Sequence, residues 1–436
     1  MIRKIQEIIL SLISSSTRKA FLSNTGWLFG EKVYSMILSL FVGLLTARYL
    51  GPNNYGILNY GNSFVSIFLT VSVLGLDTIL VNEILKSPQN SGKYLGSGIS
   101  MRVAAAFLSI IIINITVFIL NPHNNLILII TFIQSSSLIF RSFDLFNYWF
   151  QSKLNSKFSV IARSGSLTVV SAFRIYLLII HASVMFFAFT YLIDALTVAL
   201  IMLFLYKKEK SHKLKVSIKT SKYLFSSSYH FMFSSIFVVL YCQMDNILVG
   251  QFLGTKQVGI YTVACVITSL WVFIPYALIE SARPIIMSAK ENNEKVYLRR
   301  LKQLYSIVFW LGVLVALVMT AFSGFVVNLL YGIDFINAAV PLAISIWGQP
   351  FAMLGSTRNI WLVCEHKNKF SKYFVFWGFI FNLFFNILFI PILGIVGSAL
   401  ASFITQILVS SIVPLFFKQT RSSTKIMLKA ICFNFK

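Results

Sequence analysis

Apolar runs, each bounded by polar clusters, recur along the whole chain and set its fold class. A helix that crosses a bilayer needs about 20 mostly apolar residues, because hydrocarbon offers no water to satisfy backbone N–H and C=O groups. The sequence therefore predicts an all-α integral membrane protein with twelve transmembrane helices. The predicted spans lie near residues 25–46, 57–84, 99–120, 126–149, 164–180, 184–206, 224–249, 259–280, 303–323, 338–363, 371–390 and 396–417.

The distribution of basic residues predicts an orientation for these spans. The 37 Lys and Arg outnumber the 13 Asp and Glu, and the net charge of +24 would indicate a nucleic-acid partner in a soluble chain. Here all but six of the basic residues fall on one side of the membrane if both termini are inside, and the outer turns carry only Arg48 and Lys256. Because cytoplasmic loops hold an excess of Lys and Arg, we expect cytoplasmic termini and no nucleic-acid binding.

A basic stretch divides the chain into two halves of six spans. Apolar residues at helical spacing beside Arg3 and Lys4 favour an amphipathic helix on the inner membrane surface, and Glu7 and Ser11 break the apolar stretch that a signal peptide needs. An unordered basic end is the alternative at both termini. The predicted segments are a basic amphipathic segment (1–20), an N-terminal six-helix lobe (21–206), a basic cytoplasmic linker (207–222), a C-terminal six-helix lobe (223–417) and a basic cytoplasmic tail (418–436).

The two halves match weakly at an offset of 203 residues. The outer turns ARYLGPNNYGI and GQFLGTKQVGI follow the first span of each half, and the matched residues are Leu50, Gly51, Gly56 and Ile57 against Leu253, Gly254, Gly259 and Ile260. Chance matching of turn residues is the alternative. An even number of spans per half gives parallel repeats, a plan of transporters that alternate access at the repeat interface. We therefore expect two six-helix lobes around a central cavity.

Charged residues inside the predicted spans are the candidate functional residues. Placing such a residue at bilayer depth is costly, so it faces a cavity or a partner. Arg and Lys there are candidates for binding phosphate, and lone acids such as Asp77 and Asp245 are candidates for binding protons or sodium. The candidate bases are Lys32, Arg48, Arg141, Arg174 and Arg358. The candidate cavity acids or ion-coupling residues are Glu31, Asp77, Asp144, Asp194 and Asp245.

Local spacing leaves alternatives for several of these residues. Arg141 and Asp144 are three apart, so they either neutralise each other or Asp144 holds Arg141 for a phosphate. Arg358 has no acid at i+3 or i+4, which makes it a better candidate for an anionic ligand. Lys32 shares that property, although it can also pair with Glu31 or extend to the inner surface.

Two asparagines and several prolines add expectations for the second half. Asn382 and Asn386 share one helix face and either accept sugar hydroxyls or form interhelical hydrogen bonds. Pro275 in the eighth span, and Pro341 and Pro350 in the tenth, remove helical hydrogen bonds, so these helices are expected to bend.

No pattern in the sequence predicts catalysis or a cofactor. The four cysteines and five histidines are scattered at no metal-ligand spacing, and no Gly-Lys-Ser/Thr phosphate loop occurs. The outer connections are short, the longest near residues 324–337, which leaves no room for the outer catalytic domain of a polytopic glycosyltransferase. We therefore expect a transporter with no metal and no cofactor.

Four segments resemble a known family. Residues 23–60, SNTGWLFGEKVYSMILSLFVGLLTARYLGPNNYGILNY, resemble the start of bacterial polysaccharide repeat-unit flippases, the O-antigen transporters of the multidrug/oligosaccharidyl-lipid/polysaccharide exporter superfamily. YWFQSKLNSKFSVIAR, QMDNILVGQFLGTKQVGIYTVA and FNILFIPILGIVGSALASFI are similar to later parts of that family. Ser152 stands where relatives commonly have Gly, so the end of that helix is an open point.

The resemblance implies translocation of an undecaprenyl-diphosphate-linked oligosaccharide from the inner to the outer leaflet of a bacterial cytoplasmic membrane. The implied partners are this lipid-linked substrate, membrane lipid, and an O-antigen polymerase and chain-length regulator. A cation-coupled multidrug exporter of the same superfamily is the alternative, and it needs an acidic or apolar cavity. A non-transporting scaffold is disfavoured by the charges within the spans.

Overall fold

The computed structural model describes residues 15–209 and 212–432, and every regular element in these ranges is helical. Residues 1–14, which are most of the predicted amphipathic segment (1–20), lie outside the described residues, as do the pair 210–211 and residues 433–436. The helices are α1 (Ser15–Val73), α2 (Leu76–Lys86), α3 (Ser91–Leu120), α4 (Asn125–Arg141), α5 (Leu145–Ser152), α6 (Lys157–Ile179), α7 (Val184–Lys208), α8 (Ile218–Leu253), α9 (Thr255–Leu270), α10 (Phe273–Asn292), α11 (Glu294–Tyr331), α12 (Ala339–Ser345), α13 (Gly348–Cys364), α14 (Ser371–Leu393), α15 (Ile395–Ile407), α16 (Val413–Phe416) and α17 (Arg421–Ile431).

Helix α1 contains two membrane spans. Its 59 residues would extend about 90 Å if straight, about three times the thickness of a bilayer core. Gly51 breaks the helix with φ 68° and ψ 173°, a conformation that a residue without Cβ adopts readily, and Pro52 follows it. By length and composition the described residues hold ten helices or helix stretches able to cross a membrane, and a bent pair makes eleven. Dividing α1 at Gly51 gives twelve, as predicted.

The tenth span bends as its prolines predict. Residues Ile333–Ser345 and Gly348–Cys364 form one apolar span that is broken and bent by 47°. Pro350 lies in the first turn after the break, where its missing N–H costs no helical hydrogen bond. The eighth span is interrupted by a short turn between Leu270 and Phe273, shortly before Pro275.

The chain forms two compact units. The first contains residues up to Tyr49 together with Phe64–Ser235, and the second contains Leu50–Ser63 together with Ile236–Lys436. The unit boundary therefore falls inside α8 and not within the predicted linker 207–222. The corner around Gly51 belongs to the second unit, although it precedes most of the first in sequence.

The first unit has a core of large apolar side chains beneath the linker. Phe146, Trp149 and Tyr206 are buried, and the ring centroid of Tyr206 lies 4.6 Å from that of Phe146 and 4.9 Å from that of Trp149. The linker crosses the start of α3 in extended form, where the Lys215 N–H donates to the Gly92 carbonyl at 3.1 Å. Side chains at Gly92 and Gly96 would overlap linker carbonyls, so these two glycines allow the close approach.

The second unit buries part of the predicted basic tail. Helix α17 places Met427 and Ala430 in the core formed with α11 and α13, while Lys425 and Lys429 stay exposed. The Trp310 indole N–H donates to the Ile431 carbonyl at 3.2 Å. The tail is therefore an amphipathic helix held against protein, because its apolar residues recur at helical spacing.

Candidate functional site

Glu31 and Lys32 lie on the part of α1 before Gly51, beside a groove that α1 forms with α6. Lys32 is exposed, and no described residue forms an ion pair with it. Glu31 is half-buried and accepts a hydrogen bond from the Ser35 hydroxyl at 3.2 Å. Ser164 and Thr168 of α6 contribute hydroxyls to the same groove. Charged groups of α1 and hydroxyl groups of α6 therefore lie close together on membrane-spanning helices.

Arg48 and Asp77 lie near the two breaks that bracket the second span. Arg48 is exposed three residues before Gly51. Asp77 is half-buried in the first turn of α2, where a carboxylate interacts favourably with the unpaired N–H groups of the helix. Gly75 precedes it with φ 64° and lies so close to Ser228 and Met232 of α8 that a side chain would not fit.

Arg141 pairs with Asp194 and not with Asp144. One guanidinium nitrogen of Arg141 lies 3.6 Å from a carboxylate oxygen of Asp194, and about a third of each side chain is exposed. The Ser166 hydroxyl donates to Asp194 at 2.7 Å and fixes the carboxylate. Asp144 ends a short 3-10 turn after α4 and is half-buried. Both options considered for Arg141 and Asp144 assumed a local pair, and the partner instead comes from α7.

Arg174 is satisfied by hydroxyl and aromatic neighbours. Its Nε and one terminal nitrogen donate to the Thr190 hydroxyl at 3.1 and 2.9 Å. Its guanidinium also lies 5.5 Å from the ring centre of Tyr191. These contacts hold the guanidinium against α7.

Arg358 is buried and bonded to the backbone of the last span. Its terminal nitrogen donates to the carbonyls of Val409 and Ser410 at 3.2 and 2.8 Å. These carbonyls belong to a π-helical turn, Leu408–Ile412, whose hydrogen-bond pattern is shifted from that of an α-helix. The guanidinium stacks on the Phe374 ring at 4.2 Å. In this conformation the Arg358 guanidinium stabilises the π-helical turn, and its bonded nitrogen is not available to a ligand.

Asp245 is the centre of a buried polar network within the second unit. One carboxylate oxygen accepts hydrogen bonds from Tyr261 at 2.9 Å and Ser402 at 2.6 Å, and the other accepts from Asn386 at 2.7 Å. No described Lys, Arg or His forms an ion pair with this carboxylate. Asp245 is thus an acid surrounded by neutral oxygen and amide groups.

Asn382 and Asn386 belong to this network and join α14 to α15. Asn382 donates to Ser402 at 3.2 Å, and Ser398 donates to Asn386 at 2.8 Å. The side-chain oxygen of Asn382 is buried without a hydrogen bond in the described part of the chain. Both asparagines therefore form interhelical hydrogen bonds in this conformation, which is one of the two roles expected from the sequence. The side-chain oxygen of Asn382 is still able to accept.

Several residues of these clusters were not singled out from the sequence. Ser398 and Ser402 are four residues apart, the same spacing as Asn382 and Asn386, and this match is a signal that could have paired the two helices. Tyr261 carries no such signal. Arg102, one of the basic residues expected on the cytoplasmic side, is buried in α3, with one terminal nitrogen unbonded in the described residues.

A lipid flippase and a multidrug transporter are among the solved structures with similar folds. Lipid II flippase MurJ in an inward closed conformation matches with a TM-score of 0.69 and 19% identity, over 93% of this chain and 90% of that chain. An inward-facing multidrug resistance MATE family transporter of the MOP superfamily matches with a TM-score of 0.65 and 12% identity, over 90% of this chain and 96% of that one. At these identities the likeness shows the fold, and it confirms the predicted fold class.

Curated relatives share shorter regions. The probable flippase AglR of Haloferax volcanii is 30% identical over 181 residues, which are 38% of this chain and 36% of that protein. The uncharacterized membrane protein MJ1068 of Methanocaldococcus jannaschii is 25% identical over 256 residues, which are 56% of this chain and 49% of that protein. This chain thus covers less than half the length of each relative.

Two protein families match the sequence directly. The MatE family matches residues 231–388. The polysaccharide biosynthesis protein family matches residues 21–290, more than half of the chain. The resemblance found in the sequence is thereby confirmed, and this multi-span membrane protein belongs to the polysaccharide biosynthesis protein family.

Proposed function

We propose that the chain is a flippase that moves a lipid-linked oligosaccharide between the leaflets of a membrane by alternating access. The family match, the fold shared with lipid II flippase MurJ and the similarity to the probable flippase AglR support this function. A charged sugar head cannot cross hydrocarbon unaided, because losing its hydration is prohibitive. Polar groups exposed along the membrane helices can replace the water that the head group loses, and so lower the free energy of crossing.

Lys32 is the observation that carries the proposal. An exposed ammonium on a membrane helix is costly unless it faces water or an anion. Arg141, Arg174 and Arg358 are engaged by protein groups, whereas Lys32 has no ion-pair partner among the described residues. A diphosphate is the part of a lipid-linked sugar that an ammonium attracts. We therefore assign diphosphate contact to Lys32 first and to the exposed Arg48 second.

The substrate and setting follow from the same proposal. We infer an undecaprenyl-diphosphate-linked repeat unit of an O-antigen or related polysaccharide, carried from the cytoplasmic to the outer leaflet of a bacterial inner membrane. The distribution of basic residues supports cytoplasmic termini. Polymerisation outside the cell would consume the delivered unit and draw transport forward, which makes the polymerase and chain-length regulator the expected partners.

Asp245 is our proposed coupling residue. A buried carboxylate without a basic partner is stabilised when it binds a proton or a metal cation, which offsets its charge. Hydroxyl and amide oxygens surround it, including the unbonded oxygen of Asn382, and oxygen donors suit a hard cation such as sodium. We therefore propose that sodium or a proton binds at Asp245 during the transport cycle.

A cation-coupled multidrug exporter is the second candidate. The match of residues 231–388 to the MatE family and the shared fold with a MATE transporter favour it. Glu31, half-buried beside exposed aromatic rings, is the residue that would attract an organic cation. This function predicts drug sensitivity, and not loss of surface polymer, when the protein is absent.

Deletion of the gene tests the proposal. Lipid-linked repeat units are quantified in each leaflet of the mutant, together with surface polysaccharide, and wild type, Lys32→Ala or Lys32→Arg is then restored. We expect repeat units to accumulate in the inner leaflet, wild type and Lys32→Arg to restore export, and Lys32→Ala to fail at equal protein level. Lys256→Ala in an outer turn is the control for loss of one positive charge. Unchanged polymer with greater sensitivity to cationic drugs would reject the flippase in favour of the exporter.

A further inference from the structure

A groove within the first unit has a lining unlike that of a helix-packing seam. It lies between α1 and α6 and has a cavity volume of about 560 Å³, within the range of roughly 300 to 1,000 Å³ typical of small-molecule sites. Trp27, Glu31 and Tyr34 form the α1 wall, and Ser164 and Thr168 form part of the α6 wall. Both sets recur at spacings of three to four residues, so each occupies one helix face.

Glycines keep this groove open. Gly26 and Gly30 line its α1 wall, and a side chain added at either would meet no described atom within 4 Å. Gly165 on the α6 wall would meet only the tip of Ile201, at 3.8 Å. A glycine that permits the close approach of another segment is surrounded by atoms, as at Gly92 beside the linker. The small residues here therefore leave space that neighbouring helices do not fill.

The aromatic residues present flat surfaces to that space. Trp27 is 46% exposed and Tyr34 is 39% exposed. The Tyr34 hydroxyl lies 2.7 Å from the Thr168 hydroxyl, and Thr168 donates its single proton to the Ser164 carbonyl at 2.7 Å. Tyr34 must then donate to Thr168, which fixes the phenol ring and leaves a lone pair on its oxygen free to accept.

Glu31 determines which ligand fits. Its carboxylate is on a membrane-spanning helix, without an ion pair among the described residues, and it accepts a hydrogen bond from the Ser35 hydroxyl. A carboxylate can accept about four hydrogen bonds, so most of its capacity is open. A carboxylate accepts hydrogen bonds and donates none, and the ammonium of Lys32 at the next position disfavours an organic cation beside it. Neutral hydroxyl groups remain as the matching donors.

We propose that this groove binds a pyranose ring of the carried oligosaccharide, an assignment that rests on the proposed flippase function. The apolar face of the sugar would stack on Trp27, and its hydroxyls would donate to Glu31 and to the Tyr34 oxygen. The hydroxyl of Ser164 supplies a further polar contact on the α6 wall. The groove thus recognises the sugar, while Lys32 contacts the diphosphate.

Sugar binding is measured with full-length protein in lipid nanodiscs. The probes are methyl glycosides of glucose, galactose, N-acetylglucosamine and rhamnose, detected by saturation-transfer difference NMR. We expect at least one glycoside to bind, and Trp27→Leu and Glu31→Gln to weaken that binding roughly three- to tenfold. Trp27→Phe should retain binding within about twofold, because it keeps an aromatic face. Phe41→Leu removes another exposed aromatic side chain of α1 outside the groove and should change nothing.

Three results would overturn the sugar site. Either no glycoside binds the wild-type protein, or the Trp27→Leu and Glu31→Gln variants bind as well as wild type, or tetraethylammonium binds instead and is lost in Glu31→Gln. The last result identifies an organic-cation site. Movement of the lipid-linked oligosaccharide in proteoliposomes is measured separately. If wild type fails to move it while the groove variants still lose glycoside binding, the flippase function is wrong and the sugar site stands.

Discussion

Gly56 and Gly259 contact each other's corner in a reciprocal way. A Cβ at Gly56 would overlap the Thr255 carbonyl, and a Cβ at Gly259 would overlap the Pro52 carbonyl. These residues are related by the offset of 203 found in the sequence, since Gly56 corresponds to Gly259 and Pro52 to Thr255. Gly51 and Gly254 also share a conformation, with φ 68° and ψ 173° in one and φ 86° and ψ 170° in the other. The repeat is therefore structural, and chance matching of turn residues does not explain it.

We predict that Gly56→Ala and Gly259→Ala each destabilise the protein by about 1 to 3 kcal/mol, because backbone atoms that cannot move aside occupy the space of the new methyl group. Thermal unfolding in nanodiscs measures the effect. Gly43→Ala is the matched control, since nothing in the described part of the chain lies within 4 Å of its added methyl and alanine favours a helix. Equal melting temperatures for all three variants would mean that the corners are not in contact.

Cysteines that replace Asn53 and Thr255 should form a disulfide across the same contact. Their side-chain oxygens are 2.8 Å apart, and the four native cysteines would first be replaced. If the corners must separate during alternating access, oxidation should abolish transport and reduction should restore it. Each single cysteine variant serves as the control. Full transport by completely cross-linked protein would show that this contact stays closed throughout the cycle.

Arg358→Met should lower stability by about 1 to 3 kcal/mol. The substitution keeps an apolar stem but leaves the Val409 and Ser410 carbonyls without their donor in a buried π turn. Arg358→Lys should recover part of the loss, because an ammonium can reach one carbonyl but lacks the planar fork. Thermal unfolding and transport are compared at equal protein level. Normal stability with lost transport would instead assign Arg358 to ligand contact, as the sequence alone had favoured.

A double-mutant cycle on Arg141→Gln and Asp194→Asn should give a coupling energy of about 1 kcal/mol or less. The pair is 3.6 Å apart and partly exposed, so solvent screens it. Ser166→Ala should reduce the coupling, since the Ser166 hydroxyl orients the carboxylate. A coupling of zero would exclude the pairing, and a larger coupling between Arg141 and Asp144 would restore the local pair.

The sequence predicts what depends on neighbours along the chain and misses what depends on packing between helices. Apolar runs located the spans, and the Gly51 and Gly254 turns located the corners, because length and backbone freedom are local properties. Asp194 became the partner of Arg141 through the packing of α4 on α7. Arg358 was expected at a ligand because no local acid matched it, yet it binds carbonyls of a different span. A charged residue inside a predicted span therefore indicates that a partner exists, but the sequence does not show which helix supplies that partner.

Asp245 should make the stability of the protein depend on a bound cation. A ligand that binds only the folded state stabilises it by about 2.7 kcal/mol at 100 times its dissociation constant. We therefore expect sodium, added at constant ionic strength in place of a large organic cation, to raise the melting temperature of wild type and to leave Asp245→Asn unchanged. Asp334→Asn, which removes an exposed acid elsewhere in the second unit, should respond like wild type.

The same comparison separates sodium from a proton at this site. If sodium has no effect but acidification stabilises wild type and not Asp245→Asn, the carboxylate binds a proton, because a buried acid without a basic partner is more stable when neutral. Ser402→Ala provides a further distinction. The substitution removes a hydroxyl oxygen that lies 2.6 Å from the carboxylate and could coordinate sodium. It should therefore weaken sodium binding while leaving the carboxyl group able to accept a proton. Equal responses of wild type and Asp245→Asn to both ions would reject Asp245 as the coupling residue.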